Sequence, residues 1–520
     1  MLKRFLSLIT AVCIALFSPV HIAFAQDFDN LHNVNDIMGS FGYVKKLTGE
    51  LSTSRWAWCM ESYICDNGDG TFSVVDVYDN KVYIDTYDKT TMRFIKFNTV
   101  NFLLEKFGGF YCGEKYNYIV YGRDNPAMNK DITTLALVKY DKQTWQIKGI
   151  TELKNNNTTL PFNSGTVRMA EYGDNLFIRT SHEMYNGHQS SASFVVNTNT
   201  MEGRYIKQDS SYVSHSFNQF IKLSGNSLAF VDHGDAAPRS VVLRVLDGAA
   251  ESGDLSGTRA EADLFSIPGE GGANCTGVTV GGFEVSDSNY LATINTIDHS
   301  KVSCYTCFEM MGLDKDERDI VVLVADKDNV NSDSVKQIYL TDYVDKGKCG
   351  STPYLVKIDG GLFMVLWQEY EYSGKNMTDT GLRYVYIDEN GNMLSDIRTF
   401  DEGVLSRDCQ PMLMDGKVMW FVNTTYGHRL FYTIDVDMPY ISTEYTENTV
   451  EVTPVNMPTG SKVYSVFYKS DNLWEFSADT YKGDTVYVNK PAGCTRGGII
   501  ITDKGGNLRP LCPKKVLNFD

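Results

Sequence analysis

Apolar and polar positions alternate along most of the chain. Runs such as Phe72-Ser-Val-Val-Asp-Val-Tyr78, Lys81-Val-Tyr-Ile-Asp-Thr-Tyr87 and Lys417-Val-Met-Trp-Phe-Val422 are bounded by Gly, Asn and Asp. Successive side chains of a strand point to opposite faces, so period two between turn residues predicts β-strands. Helical periodicity is scarce, and the chain is predicted to be all-β. Its 31 Tyr and 27 Phe suit pleated, half-buried surfaces.

One local pattern recurs: a strand, an Asp or Asn, a short polar turn, another strand. It reads Asp88-Lys-Thr-Thr-Met, Asp141-Lys-Gln-Thr-Trp and Asn197-Thr-Asn-Thr-Met, with weaker copies at Asp247, Asp326, Asp388 and Asp435. The chemistry is that of a hairpin corner. The Asx side chain bonds back to the turn backbone, and Gly or Asn supplies positive φ. A second pattern precedes each corner, a Gly, Asp or Asn turn leading into a strongly apolar strand, as at Gly173-Asp-Asn-Leu-Phe-Ile178 and Gly225-Asn-Ser-Leu-Ala-Phe230. Two hairpin turns in roughly 50 residues imply four strands per unit, the blade of a β-propeller.

Seven blades are expected, at 52–98, 103–153, 162–207, 213–247, 274–343, 349–400 and 404–437. The Gly-, Ser-, Ala- and Glu-rich stretch 248–272 reads as a surface insertion, and 308–318 as a polar excursion of blade five. Blade seven has room for three strands. Within the N-terminal segment 26–51, Phe41-Gly-Tyr-Val-Lys-Lys-Leu47 is the candidate for the strand that closes the ring. After Met438-Pro439 the register changes. Five or six short strands over 440–520 predict a small immunoglobulin-like β-sandwich.

The propeller region, 52–437, resembles secreted β-propeller repeat proteins. Its Asp-x-x-Thr-Trp corner is loosely similar to kelch and quinoprotein blades. There is no WD series, and double glycines of kelch type stand only at Gly281-Gly282 and Gly360-Gly361.

Composition adds a compartment. The chain starts with Lys3 and Arg4, an apolar run and Ala23-Phe24-Ala25, which reads as a secretory signal over 1–25. No later window is apolar enough to span a membrane. The formal net charge of −17 argues against nucleic-acid binding. Ten cysteines outside the signal read as a disulfide framework. The local pairs are Cys59–Cys65, Cys304–Cys307 and Cys494–Cys512, leaving Cys349–Cys409 and Cys112–Cys275.

Histidine is sparse, and four of the eight fall close together. His182, His215 and His233, with Gln219, are candidates for a transition-metal site or for acid–base chemistry. The residue types are similar to those of some propeller polysaccharide lyases. The string Asp232-His-Gly-Asp-Ala-Ala-Pro-Arg239 offers Arg239 as a fork for a carboxylate or sulfate, with Asp232 and Asp235 as ligand-binding or loop-fixing partners. Trp367 and Glu369, with Trp56 and Trp58, are candidates for an aromatic sugar platform. The expected function is binding of an extracellular glycan or protein through loops on one face. The alternative is a polysaccharide lyase or glycosidase with a His-rich site on blades three and four.

Overall fold

The computed structural model describes residues 31–38, 57–374, 376–424, 428–469, 472–505 and 510–519. Among these residues it is all-β, with helix confined to single turns such as Ala249–Ser252. From residue 62 onward the chain forms successive antiparallel meanders. The first runs Ser62–Asp66, Thr71–Tyr78, Lys81–Asp88, Phe94–Asn101. The second begins at Lys106–Cys112, the third at Arg168–Tyr172, the fourth at Ser214–Ser224, the fifth at Val278–Val285, the sixth at Tyr354–Asp359 and the seventh at Met412–Met414, the third and fourth being joined into one nine-stranded sheet by the Ser190↔Ser214 bridge.

Neighbouring meanders bury apolar faces against one another. Val75 and Ile84 of the first pack with Ile119 and Val138 of the second. Leu137 of the second meets Ile178 of the third, and Phe177 of the third meets Phe230 of the fourth. Leu243 and Ile294 join the fourth and fifth, and Val322 and Val365 the fifth and sixth. Met364, Trp420 and Phe72 then share a core that unites the sixth, the seventh and the first. The order of contacts therefore closes on itself. Each fully buried aliphatic or aromatic side chain in these seams contributes roughly 1.5–3 kcal/mol. Arg429 of the seventh meander is ion-paired to Asp76 and Asp85 of the first, at the same closure.

The strand that completes the seventh meander is His32–Met38, antiparallel to His428–Asp435 from His32↔Ile434 to Met38↔His428. The expected closing segment, 41–47, lies outside the described residues. A second difference concerns 248–272. Arg259–Ser266 is the outer strand of the fourth meander, paired with Ser240–Leu246. Ala249, Ala250, Leu255, Ala262, Leu264 and Phe265 are buried. Small residues and one-sided packing gave this edge strand the composition of a loop. In the fifth meander a two-stranded hairpin, Cys304–Tyr305 with Met310–Met311, projects before Asp319–Asp326.

The corners show why the motif repeats. Asp88 Oδ1 accepts from Thr91 N and Oγ1 at 2.7 and 2.8 Å, and Asp141 Oδ1 from Thr144 N and Oγ1 at 2.9 Å each. Asn197 Oδ1 accepts from Thr200 N at 2.9 Å. Left-handed backbone is supplied here by Met92, Trp145 and Met201, at φ +57°, +57° and +60°. A side chain in that region costs about 1–2 kcal/mol. Burial offsets it, since Trp145 packs against Phe110 and Tyr140 in the seam between the first two meanders.

Residues 440–519 form two sheets, one of three strands and one of four. Ile441, Val452, Phe467, Ile499 and Leu517 fill the space between them. Lys515 is ion-paired to Asp359, and Val516 N donates to Asp287 Oδ2 at 3.1 Å, so this unit rests on turns of the fifth and sixth meanders.

Candidate functional site

The first strands of all seven meanders line one cavity of about 800 Å³, with Tyr63, Tyr111, Glu171, Lys222, Glu284, Lys357 and Met412 among its walls. A smaller cavity of about 100 Å³ opens at the end where the chain enters these strands. The two share Met60, Arg168, Phe220, Tyr354 and Gln410, so Arg168 stands at the waist of an axial channel.

Alternation explains how Arg168 gets there. Val167 and Met169 turn into the core shared with the second meander, which sends the intervening side chain to the opposite, axial face. Arg168 Nη1 donates to Gln410 Oε1 at 2.9 Å, and the guanidinium lies 5.0 Å from the Phe220 ring. Its Nε is buried with no hydrogen-bond partner among the described residues. Burial holds its pKa below the ordinary guanidinium value, and the groups whose charge bears on it are Tyr63, Tyr354 and Cys59, none a carboxylate.

The mouth itself is crossed by residues 57–60. Ala57 N donates to Phe217 O at 3.2 Å. Trp58 receives the guanidinium of Arg407 on its indole face, 3.7 Å from the ring centroid. Tyr354 Oη donates to Ser406 O at 2.6 Å and fixes the loop that carries Arg407. Asn218 Nδ2 donates to Val280 O at 2.7 Å. The residues lining the mouth include two arginines and neither Asp nor Glu.

Apart from Trp58, the described residues expected from sequence lie elsewhere. His182 Nδ1 is 2.7 Å from Thr158 Oγ1, and His233 Nε2 is 3.0 Å from Thr276 Oγ1. Burial pushes His182 down to about 4 and His233, also beside Arg239, down to about 3. The structure does not bring His182, His215 and His233 onto one ligand. Alternation along Ser227–Ala237 turns His233 away from Asp232, and among the described residues no group of three or more His, Cys, Asp or Glu is placed to hold a metal. What does converge is His215 with Asp235, Nδ1 to Oδ1 3.0 Å, and with His188, ring centroids 4.7 Å apart. Desolvation raises the Asp235 carboxyl, and His215 opposes the rise.

Gln219 is a strut, its Oε1 accepting from Thr166 N at 2.7 Å and its Nε2 donating to Ser216 O at 2.9 Å. Asp232 pairs with Arg179 at 2.8 Å and accepts from Ser216 Oγ at 2.6 Å, both buried. Arg239 does not fork onto a free surface. It donates to the carbonyls of Asp235, Pro268, Ala273 and Cys275 and so holds the 268–275 loop. Trp367 is fully buried and donates to Tyr343 Oη at 3.2 Å. Glu369 is buried among Tyr343, Lys348, Thr380 and Arg383. Neither forms a sugar platform. Trp58 alone of that set lines the mouth, and Trp56 lies outside the described residues.

No disulfide joins any of the ten described cysteines, so none of the expected pairs is formed. Cys59 is drawn away from Cys65 toward Gly165 O, at 4.0 Å, because its chain crosses the channel mouth to the third meander. Cys65 instead neighbours Cys112 of the second meander, near enough that the two thiols shift one another's titration. Cys307 turns to Gly272 O at 3.4 Å, away from Cys304. Cys349 and Cys409 are both buried as thiols, Cys409 in the core that unites the sixth, seventh and first meanders. Cys494 and Cys512 are both buried in the core of the C-terminal unit, as thiols.

Sequence reasoning missed Arg168 and Arg407. The available signal was an arginine in the first strand of a repeat, Thr166-Val-Arg-Met-Ala-Glu, where alternation demands that it leave the core.

No protein family matches the chain, and neither does any curated protein. Among solved structures, hydrazine synthase of Kuenenia stuttgartiensis is similar at a TM-score of 0.36 and 12% identity, over 64% of this chain and 80% of that one. A thermostable family-43 glycoside hydrolase is similar at a TM-score of 0.33 and 10% identity, over 70% of this chain and 100% of that one.

Proposed function

We propose that this protein is a secreted seven-bladed β-propeller, residues 52–437, carrying an immunoglobulin-like β-sandwich over 440–520, and that it binds an extracellular glycan at the mouth of its axial channel. The closed order of interfaces and the seven first strands around one cavity support the blade count. The two facing sheets around Phe467 and Ile499 support the sandwich. Export rests on the signal pattern over 1–25.

The observation that carries the binding reading is the chemistry of the mouth. An indole and two phenols sit beside amides and hydroxyls in a concave site, the mixture that recognises the faces and edges of sugar rings. Loops held on a rigid scaffold are where such sites are built. A screen of the purified chain against oligosaccharides tests it. Binding weakened about three- to thirtyfold in Trp58→Ala, with the fold retained by circular dichroism, is the expected result. Retention of all glycan affinity in that variant would refute the placement.

A second reading is enzymatic. Hydrolysis by paired carboxylates has no support at the mouth, whose lining residues include none. The His215–Asp235 hydrogen bond with His188 alongside favours a lyase, since an oriented imidazole is the usual general base. Turnover of uronate polymers abolished by His215→Ala would favour this reading over simple binding.

A further inference from the structure

Among the described residues, the other buried guanidinium groups are neutralised or satisfied by carbonyls. Arg179 is paired with Asp209 and Asp232, Arg429 with Asp76 and Asp85, Arg318 with Asp316, Arg398 with Asp437 and Arg383 with Glu369. Arg239 is satisfied by four carbonyls. Arg168 is the exception. Among the described residues it makes one hydrogen bond, to a neutral amide, and its Nε is buried without a partner. Arg407 shares the same mouth. Its Nε is likewise buried without a hydrogen bond, and its nearest carboxylate, Asp408, is 3.9 Å away.

A charge taken out of water costs several kcal/mol unless it is paired, and folding alone gives no reason to keep one unpaired. Arg407, about a third exposed and in ion-pair contact with Asp408, stands beside this unpaired cation at one opening of a chain whose formal net charge is −17. Stacking on Trp58 fixes the plane of the Arg407 fork before any ligand arrives, which lowers the entropy lost on binding.

We propose that Arg168 and Arg407 are an oxyanion-recognition pair, reading a carboxylate or sulfate carried on the glycan bound at the channel mouth. This deepens the glycan-binding reading and rests on it. The charged substituent enters the cavity of about 100 Å³ and meets the open donors of Arg168, while the ring lies outside against the Trp58 and Tyr370 side. Guanidinium forks match planar carboxylates and sulfates in two-point hydrogen bonding, and charge-assisted bonds of this kind are about twice as strong as neutral ones.

The test is calorimetric titration of the full chain with four probes: a uronate trisaccharide, its neutral methyl ester, a sulfated trisaccharide and inorganic sulfate. The charged sugars are expected to bind about tenfold or more tighter than the ester, the scale of a charged hydrogen bond to a desolvated partner. Arg168→Gln and Arg407→Gln are each expected to erase that difference. Equal affinity for acid and ester in the unaltered chain would overturn the oxyanion inference and leave glycan binding standing. Binding of inorganic sulfate but no sugar would keep the anion site and overturn the glycan reading. No binding of any probe would overturn both.

A second readout separates recognition from architecture. A guanidinium held for a ligand burdens the unliganded fold, so Arg168→Gln should hold or raise Tm. A fall of several degrees would make Arg168 a structural strut and overturn the proposal.

Discussion

Arg407 lies over the indole of Trp58 with its guanidinium carbon 3.7 Å from the ring centroid. The two residues come from opposite ends of the meander region and meet at the channel mouth. A half-exposed cation–π pair of this kind contributes about 0.5–2 kcal/mol. Trp58→Ala is therefore expected to loosen Arg407 and weaken ligand binding by about three- to thirtyfold, with a stability loss under about 2 kcal/mol. Titration calorimetry and urea unfolding measure the two effects separately. A large stability loss with unchanged affinity would count against Trp58 as a ligand contact.

Closure of the meander ring depends on Arg429. Its Nη2 is 2.7 Å from Asp76 Oδ2, its Nη1 contacts Asp85 and donates to Tyr87 Oη at 2.8 Å, and all these groups are buried. Both carboxylates raise its pKa against the desolvation that would lower it. Arg429→Met removes the cation and leaves Asp76 and Asp85 buried together. Breaking such a cluster from one side costs about 3–5 kcal/mol. Equilibrium urea unfolding should register it as a lowered midpoint at unchanged slope, and a loss below about 1 kcal/mol would show that the first and last meanders are held by packing alone.

His182 and His233 make stability fall in acid. Their folded-state values, about 4 and about 3, lie below the unfolded value of about 6.5. Below pH 6.5 the unfolded chain takes up protons that the folded chain refuses, so stability declines as pH falls through the window from 6.5 toward 4. Each histidine contributes up to about 1 kcal/mol per pH unit there. Urea midpoints at pH 7 and pH 5 should differ less in His233→Gln than in the unaltered chain. An identical pH dependence in the variant would contradict the burial of a neutral His233.

Cys65 and Cys112 are expected to be the pair that oxidises. Cys112 Sγ lies 3.6 Å from Asp66 O and Cys65 Sγ 3.8 Å from Asn67 Oδ1, so both thiols gather at one turn. The neighbouring Cys65 thiol brings Cys112 down to about 7, and the same contact raises Cys65. Cys112 as thiolate attacks a disulfide-bearing oxidant and expels one thiol. The Cys65 thiolate then displaces the second, and the two protons given up by Cys112 and Cys65 end on the two thiols released. Combined cleavage after Glu61 and after lysine separates Cys59 from Cys65. Mapping without reductant should then give a Cys65–Cys112 cross-linked peptide. A Cys59–Cys65 link, or full alkylation of both thiols in oxidised protein, would refute the expectation.

What could be read along the chain was local. Alternation announced the strands, because a strand's two faces are set by neighbouring residues. The corners at Asp88, Asp141 and Asn197 were legible because their hydrogen bonds span three residues. The outer strand Arg259–Ser266 was missed because an edge packed on one face needs few apolar residues.

The chemistry was decided by contacts between distant segments. His215 finds Asp235 through a hairpin, whereas His182 and His233 turn to Thr158 and Thr276 on other elements. Arg239 resembles a ligand fork in sequence, yet a loop about 30 residues onward supplies three carbonyls and Asp235 a fourth, and these occupy it. Arg168 resembles any strand arginine, and its lack of a carboxylate is visible only once seven first strands stand around one cavity. Local sequence determines which way a side chain points relative to its own strand. Which charges it meets there depends on the desolvated space that the other strands enclose, and no short stretch of sequence carries that information.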